Sequence, residues 1–187
     1  MRKDTAIEGL AGEAVMLPLA DTTGTRMRLD ADAAVLAAID IAVAGGANVL
    51  LQIMDASKLG WRAPSAACLD EIARRWPGQV MVVVDACQMR LSRRRLGAYL
   101  DRGYPVLVTG SKFFGGPAFS GALLVPSRHA RAFEAAAADA TGLRDYASRS
   151  DWPKRWAGLR GGFESRANFG QWLRWEAALE EIRGYYD

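Results

Sequence analysis

The chain alternates short apolar runs with longer stretches of helical spacing. Asn48 to Met54 (NVLLQIM), Val80 to Val84 (VMVVV), Val106 to Thr109 and Gly121 to Val125 are compact aliphatic runs set off by Gly, Pro, Asp or Ser. Runs of this length and composition predict strands. Ala14 to Ala20 (AVMLPLA) predicts a further strand, at a sheet edge because Pro18 cannot donate to a ladder. Between the runs the period changes. In Leu29 to Ala44, residues Leu29, Ala33, Leu36, Ile39 and Val43 share a face, Asp30 and Asp32 lie in the first turn, and Gly45-Gly46 ends the segment. Pro64-Ser65 opens a second helix that runs to Trp76 and stops at Pro77-Gly78. Ser92 to Arg102 predicts a third, with Leu96, Tyr99 and Leu100 inward, and Arg128 to Ala140 an Ala-rich fourth. Thr141 to Glu164 is polar, with Trp152, Trp156 and several glycines, and reads as an irregular excursion. Arg166 to Arg183 returns to helix.

The order β-α-β-α-β-α-β-β-α predicts an α/β fold with a mostly parallel sheet, right-handed crossovers and helices on both faces, a three-layer α/β/α sandwich. The whole chain, 1–187, reads as a single domain: sheet and crossover helices in 14–140, the excursion and a C-terminal helix in 141–187. Val80 to Val84 is apolar without alternation, which predicts burial on both faces of the sheet. Ligands of open parallel sheets bind beyond the carboxyl ends of the strands. Ser57, Asp85, Thr109, Ser111 and Lys112 all lie just past such ends.

Composition narrows the function classes. At 187 residues with 50% hydrophobic and 24% charged residues, the chain is long enough for one well-formed core. The net charge of +3 is small, and Arg93-Arg94-Arg95 has no interleaved aromatic, so it reads as a solvated helix face and no nucleic-acid partner is expected. Two cysteines, Cys68 and Cys87, and one histidine, His129, give neither a disulfide framework nor a metal site. No run approaches the roughly 20 apolar residues of a membrane span, so no membrane partner is expected. The start lacks a signal-peptide apolar core, and the expected compartment is the cytoplasm.

An acid and a lysine at neighbouring strand ends admit two readings. They can form a structural Asp85–Lys112 pair. Alternatively, a lysine whose pKa is lowered by desolvation can attack a carbonyl, while the acid faces the ring nitrogen of pyridoxal 5'-phosphate (PLP) and keeps it protonated. Hydroxyls at Thr109 and Ser111, with backbone N–H groups around Gly110, offer donors to a phosphate.

Asp85-Ala86-Cys87-Gln88 followed by Thr109-Gly110-Ser111-Lys112-Phe113-Phe114-Gly115-Gly116-Pro117 resembles the cofactor core of fold-type I PLP enzymes, in particular the class V aminotransferase and cysteine desulfurase group. The resemblance implies a PLP-transferase-like large domain in which Lys112 is the Schiff-base lysine and Asp85 pairs with the pyridine nitrogen. It implies Gln88, and more weakly Ser57, near the ring hydroxyl, with Thr109 and Ser111 at the phosphate. Ser111 stands where desulfurases carry histidine, and Cys87 lies inside the motif rather than on a later mobile loop, so the resemblance favours an aminotransferase over a desulfurase. It further implies a homodimer and a small amino-acid-type substrate. Family members are about twice this length. The expectation is therefore a truncated large domain, its later part, either a fragment or a shortened gene product. The other reading is a non-catalytic remnant of the fold that serves as a binding or assembly module. Arg160, Arg166 and Arg174 are candidates for a substrate carboxylate by charge alone. Trp152, Trp156, Trp172 and Trp175 are candidates either for the core or for a partner surface.

Overall fold

The computed structural model describes residues 12–17, 31–135, 143–144 and 147–187. Four strands form one open sheet in the order β1-β2-β3-β4: β1 (Val49–Met54), β2 (Val80–Asp85), β3 (Val106–Thr109) and β4 (Gly121–Leu124). The first three are parallel. β4 returns antiparallel to β3, pairing Thr109 with Gly121 and Val106 with Leu124. The fold is thus α/β with a mostly parallel sheet.

The crossovers are helices whose ends match their sequence signals. α1 spans Ala31–Ala44, α2 Ala66–Arg75 and α3 Arg93–Asp101. Ser65 caps α2 by accepting from the Cys68 N–H, and Ser92 caps α3 by accepting from the Arg95 N–H, each satisfying an otherwise unpaired first-turn donor. Asp32 of α1 reaches across to the Ser65 N–H at 2.7 Å and ties the two helix starts together. The predicted strand at Ala14 to Ala20 is not formed over its described part, 14–17, and its remainder lies outside the described residues, as do Leu29 and Asp30.

α1, α2 and α3 bury one face of the sheet. Val35 and Ile39, Cys68, Leu69 and Ile72, and half-buried Leu96 and Tyr99 close over Ile53, Val82, Val84, Val106 and Val108. The other face is different. The continuous run in β2 predicts burial on both sides, yet burial alternates: Val82 and Val84 are buried, Val83 is half-buried and Met81 is exposed. Leu50 and Met54 of β1 share that exposed face, with Leu50 opposite Met81. Among the described residues no helix covers this end of it.

The rest of the chain wraps the β3–β4 edge. A 3-10 turn at Ser127–His129 leads into α4, described over Ala130–Ala135; the last residues of the predicted helix, 136–140, lie outside the described ones. The excursion contains a 3-10 turn at Arg149–Asp151 and a short α5, Ala157–Gly161. α6, Phe169–Tyr186, begins with Asn168 accepting from the Gln171 N–H. Half-buried Trp175 donates its indole N–H to the Gly121 carbonyl at 3.2 Å, and fully buried Ala178 rests on the loop between β3 and β4. Of the other candidate indoles, Trp156 is buried, Trp152 half-buried beside it and Trp172 exposed, so core packing holds for Trp156. None of the described helices is long and apolar enough to cross a membrane.

Candidate functional site

Parallel pairing sets the carboxyl ends of β1, β2 and β3 side by side. Met54 lies opposite Asp85, Asp85 opposite Leu107, and the Asp55 N–H donates to the Asp85 carbonyl at 3.0 Å. The loops that leave these three strands therefore meet at one edge.

After β2, the Asp85 carboxylate accepts from the Cys87 N–H at 2.9 Å, and the Met89 N–H closes a turn on the Ala86 carbonyl. Met89 sits at φ 52°, a left-handed conformation that costs a non-glycine residue free energy. Its half-buried side chain packs against the core, which holds the turn in place. Gln88 is half-buried in this turn. The Cys87 thiol is pushed up to about 11, first by burial, then by its hydrogen bond to Asp85 and that residue's charge, with the Lys112 ammonium acting in the opposite direction. The lysine and the acid thus both bear on one sulfur. Asp85 and Lys112 are nevertheless not joined as an ion pair, so the structural Asp85–Lys112 pair does not form. Lys112 is exposed, because three residues of loop carry it past the end of β3.

Cys87 reports on this arrangement. A thiol pushed up to about 11 carries on the order of 100-fold less thiolate at pH 8 than a free cysteine, so alkylation by iodoacetamide should be slower by up to that factor. Lys112→Ala removes the one lowering influence and should slow it further, whereas a rate that Lys112→Ala leaves unchanged would place the ammonium elsewhere.

After β3, buried Thr109 and half-buried Ser111 bond through their hydroxyls at 2.8 Å, and the Ser111 N–H donates to Thr109 Oγ1 at 3.2 Å. The backbone here is committed. The Gly110 N–H donates to the Ser120 carbonyl and the Gly116 N–H to the Gly110 carbonyl, each at 3.0 Å. The expectation that amides around Gly110 are free for a phosphate is corrected for these groups. The need for glycine has another cause. A Cβ on Gly110 would overlap the Ala178 methyl, and one on Gly116 would meet the Gly110 carbonyl at 2.8 Å and Ala178 Cα at 2.9 Å. These glycines admit α6.

After β1, Ser57 Oγ accepts from the Leu59 and Trp61 N–H groups at 3.1 and 3.0 Å, so its oxygen shapes its own loop. The residue that sequence reasoning passed over is Asp55, only 2% exposed. Its carboxylate accepts from the Tyr99 hydroxyl at 2.9 Å and faces Arg95 at 3.5 Å. The Tyr99 phenol is pushed up to about 12, by burial first and by Asp55 second, against the opposing charges of Arg95 and Arg62. The available signal was an acid directly after an apolar strand, the same signal that singled out Asp85.

The arginines considered for a substrate carboxylate contact other parts of the chain. Arg160 donates to the Arg149 and Lys154 carbonyls, Arg166 to the Arg144 and Ala147 carbonyls, and Arg174 lies 6.0 Å from the Phe119 ring centre.

The residues at the edge fit the PLP reading in part. Asp85 has a carboxylate oxygen beyond the one held by Cys87, Lys112 is accessible, and the Thr109–Ser111 pair leaves one hydroxyl proton to donate. No family model, no curated protein and no solved structure matches the chain.

Proposed function

We propose that this chain is the cofactor core of a fold-type I PLP-dependent transferase of the class V aminotransferase type, a cytoplasmic protein with a three-layer α/β/α plan that works as a homodimer on an amino-acid-type substrate. The observation that supports this reading is the placement of Asp85 and Thr109 at the carboxyl ends of two adjacent parallel strands, with the Thr109–Ser111 hydroxyl pair and Lys112 on the loop that follows. When bound, PLP supplies an aldehyde for an amine and a conjugated ring that draws electrons from the substrate Cα. In this reading Lys112 holds the cofactor through its amine and, once released, takes and returns a proton at Cα. Asp85 keeps a proton on the ring nitrogen, Thr109 and Ser111 donate to the phosphate, and Gln88 and Ser57 lie toward the ring hydroxyl.

Purified protein mixed with PLP should gain visible absorbance. Borohydride reduction should then leave the label on the Lys112 peptide alone, and Lys112→Ala should show neither. Absorbance that persists in Lys112→Ala would sink the assignment.

One observation favours the second reading, a non-catalytic binding or assembly module. The glycines of the lysine loop are filled by Ala178 of α6, and the N-terminal half of that helix shows Phe169, Trp172 and Leu173 to solvent. A protein that sediments as an oligomer yet gains no PLP absorbance would support it.

A further inference from the structure

Three arginines from three parts of the chain bond to atoms of just two residues, Asp55 and Lys58. The Arg62 Nε–H donates to the Asp55 carbonyl at 3.0 Å, Arg95 faces the Asp55 carboxylate at 3.5 Å, and Arg90 donates to the Lys58 carbonyl at 3.5 Å. Asp55 and Lys58 belong to one tight turn, in which the Ser57 N–H bonds the Trp61 carbonyl and the Gly60 N–H bonds the Ser57 carbonyl. The guanidinium groups are therefore gathered around a single loop at the carboxyl end of β1.

The charges there are poorly balanced. Lys58, Arg62, Arg90 and Arg95 share the rim with two carboxylates, Asp55 and Asp85. Asp55 is buried and already committed to Tyr99 and Arg95, and Asp85 gives an oxygen to the Cys87 N–H. Arg62 and Arg90 rest on neutral carbonyls, which orient a guanidinium without neutralising it. Each keeps terminal N–H donors in the fork geometry that matches a carboxylate or phosphate, and both side chains are exposed. Arg90 directly follows Met89, whose left-handed backbone fixes the direction in which the chain leaves the turn. Arg95 is the member of the Arg93-Arg94-Arg95 run that turns inward, while Arg93 and Arg94 stay exposed.

We propose that Arg62 and Arg90, backed by Arg95 and Lys58, form a binding site for the oxyanion of a small molecule, a carboxylate or a phosphate. The site is separate from the hydroxyls at Thr109 and Ser111 and does not depend on the PLP reading. Arg62 and Arg90 take the anion's oxygens in forked pairs. Arg95 holds the floor through Asp55, and Lys58 adds charge at the rim.

The test uses the full chain without PLP, titrated at constant ionic strength with inorganic phosphate in one arm and succinate in the other, with binding measured by calorimetry. Saturable binding of at least one probe is expected, and the arm that saturates identifies the oxyanion. Arg62→Ala/Arg90→Ala should weaken it at least tenfold. Arg93→Ala/Arg94→Ala, which removes equal charge from the neighbouring helix start, and Lys112→Ala should each leave it within about twofold. The proposal is overturned if neither probe saturates, if the Arg62/Arg90 variant binds as wild type, or if either control loses binding to the same degree. Because both substituted arginines are exposed and donate only to main-chain carbonyls, the variant keeps its fold, which its circular dichroism and melting temperature verify.

Discussion

Gly110→Ala should lower stability by about 2–3 kcal/mol, within the range for overpacking a filled site, and the melting temperature by about 5–10 °C. The added methyl has nowhere to go. It would overlap the Ala178 Cβ and press on Ser120 Oγ at 3.3 Å, and Ala178 and Ser120 are both fully buried. Neither neighbour can yield cheaply. Ser120 Oγ is held by the Pro117 carbonyl at 2.8 Å, and its own carbonyl receives the Gly110 N–H. The element that can move is α6, so the substitution should lift the helix and break the Trp175 bond to Gly121. Trp175 emission and protease sensitivity between β4 and α6 would report that. The decisive variant is Gly110→Ala combined with Ala178→Gly. Making room on the helix should recover most of the loss, a coupling that a double-mutant cycle measures. If Gly110→Ala melts at the wild-type temperature, α6 does not close on this loop as described.

The strand ends were legible because their signal is local. β1, β2, β3 and β4 fall within a residue or so of the runs that predicted them, and Ser65 and Ser92 mark helix starts where a capping side chain would be expected. The convergence of Asp85, Thr109, Ser111 and Lys112 came from strand order alone. What escaped was set by partners distant in sequence. Nothing near Met81 tells whether a second layer will cover it; that depends on how the remaining chain is distributed, and α1, α2 and α3 all pack on the opposite face. The backbone around Gly110 reads locally as a phosphate site, but the need for glycine at Gly110 and Gly116 comes from Ala178, more than 60 residues away. Asp55 was passed over because its partners, Arg95 and Tyr99, lie on the far side of β2 in sequence.

That hidden acid carries the other large expected effect. Asp55→Ala should destabilise the protein by about 2–4 kcal/mol, since it removes the acceptor of a half-buried phenol and the partner of a half-buried guanidinium together. Tyr99→Phe should cost less, about 1 kcal/mol, because Asp55 keeps Arg95 and only one hydrogen bond is lost. Asp55→Asn should fall between them, as the amide oxygen still accepts from Tyr99 while the charge is gone. The cluster also has a pH signature. Burial first and Asp55 second raise the phenol from its ordinary value near 10 to about 12 in the folded protein. A group raised on folding contributes stability that is complete below its unfolded pKa and is lost as pH climbs through the folded one. Stability should therefore fall between about pH 10 and 12, and Tyr99→Phe should remove this group's share of that fall. Asp55→Asn should bring the phenol's titration down only in part, since desolvation remains the larger cause. Ultraviolet titration of wild type against Tyr99→Phe isolates this phenol from the other four tyrosines. A Tyr99 that titrates with the bulk of them, or an Asp55→Ala variant as stable as wild type, would mean that Asp55 does not tie α3 to the end of β1.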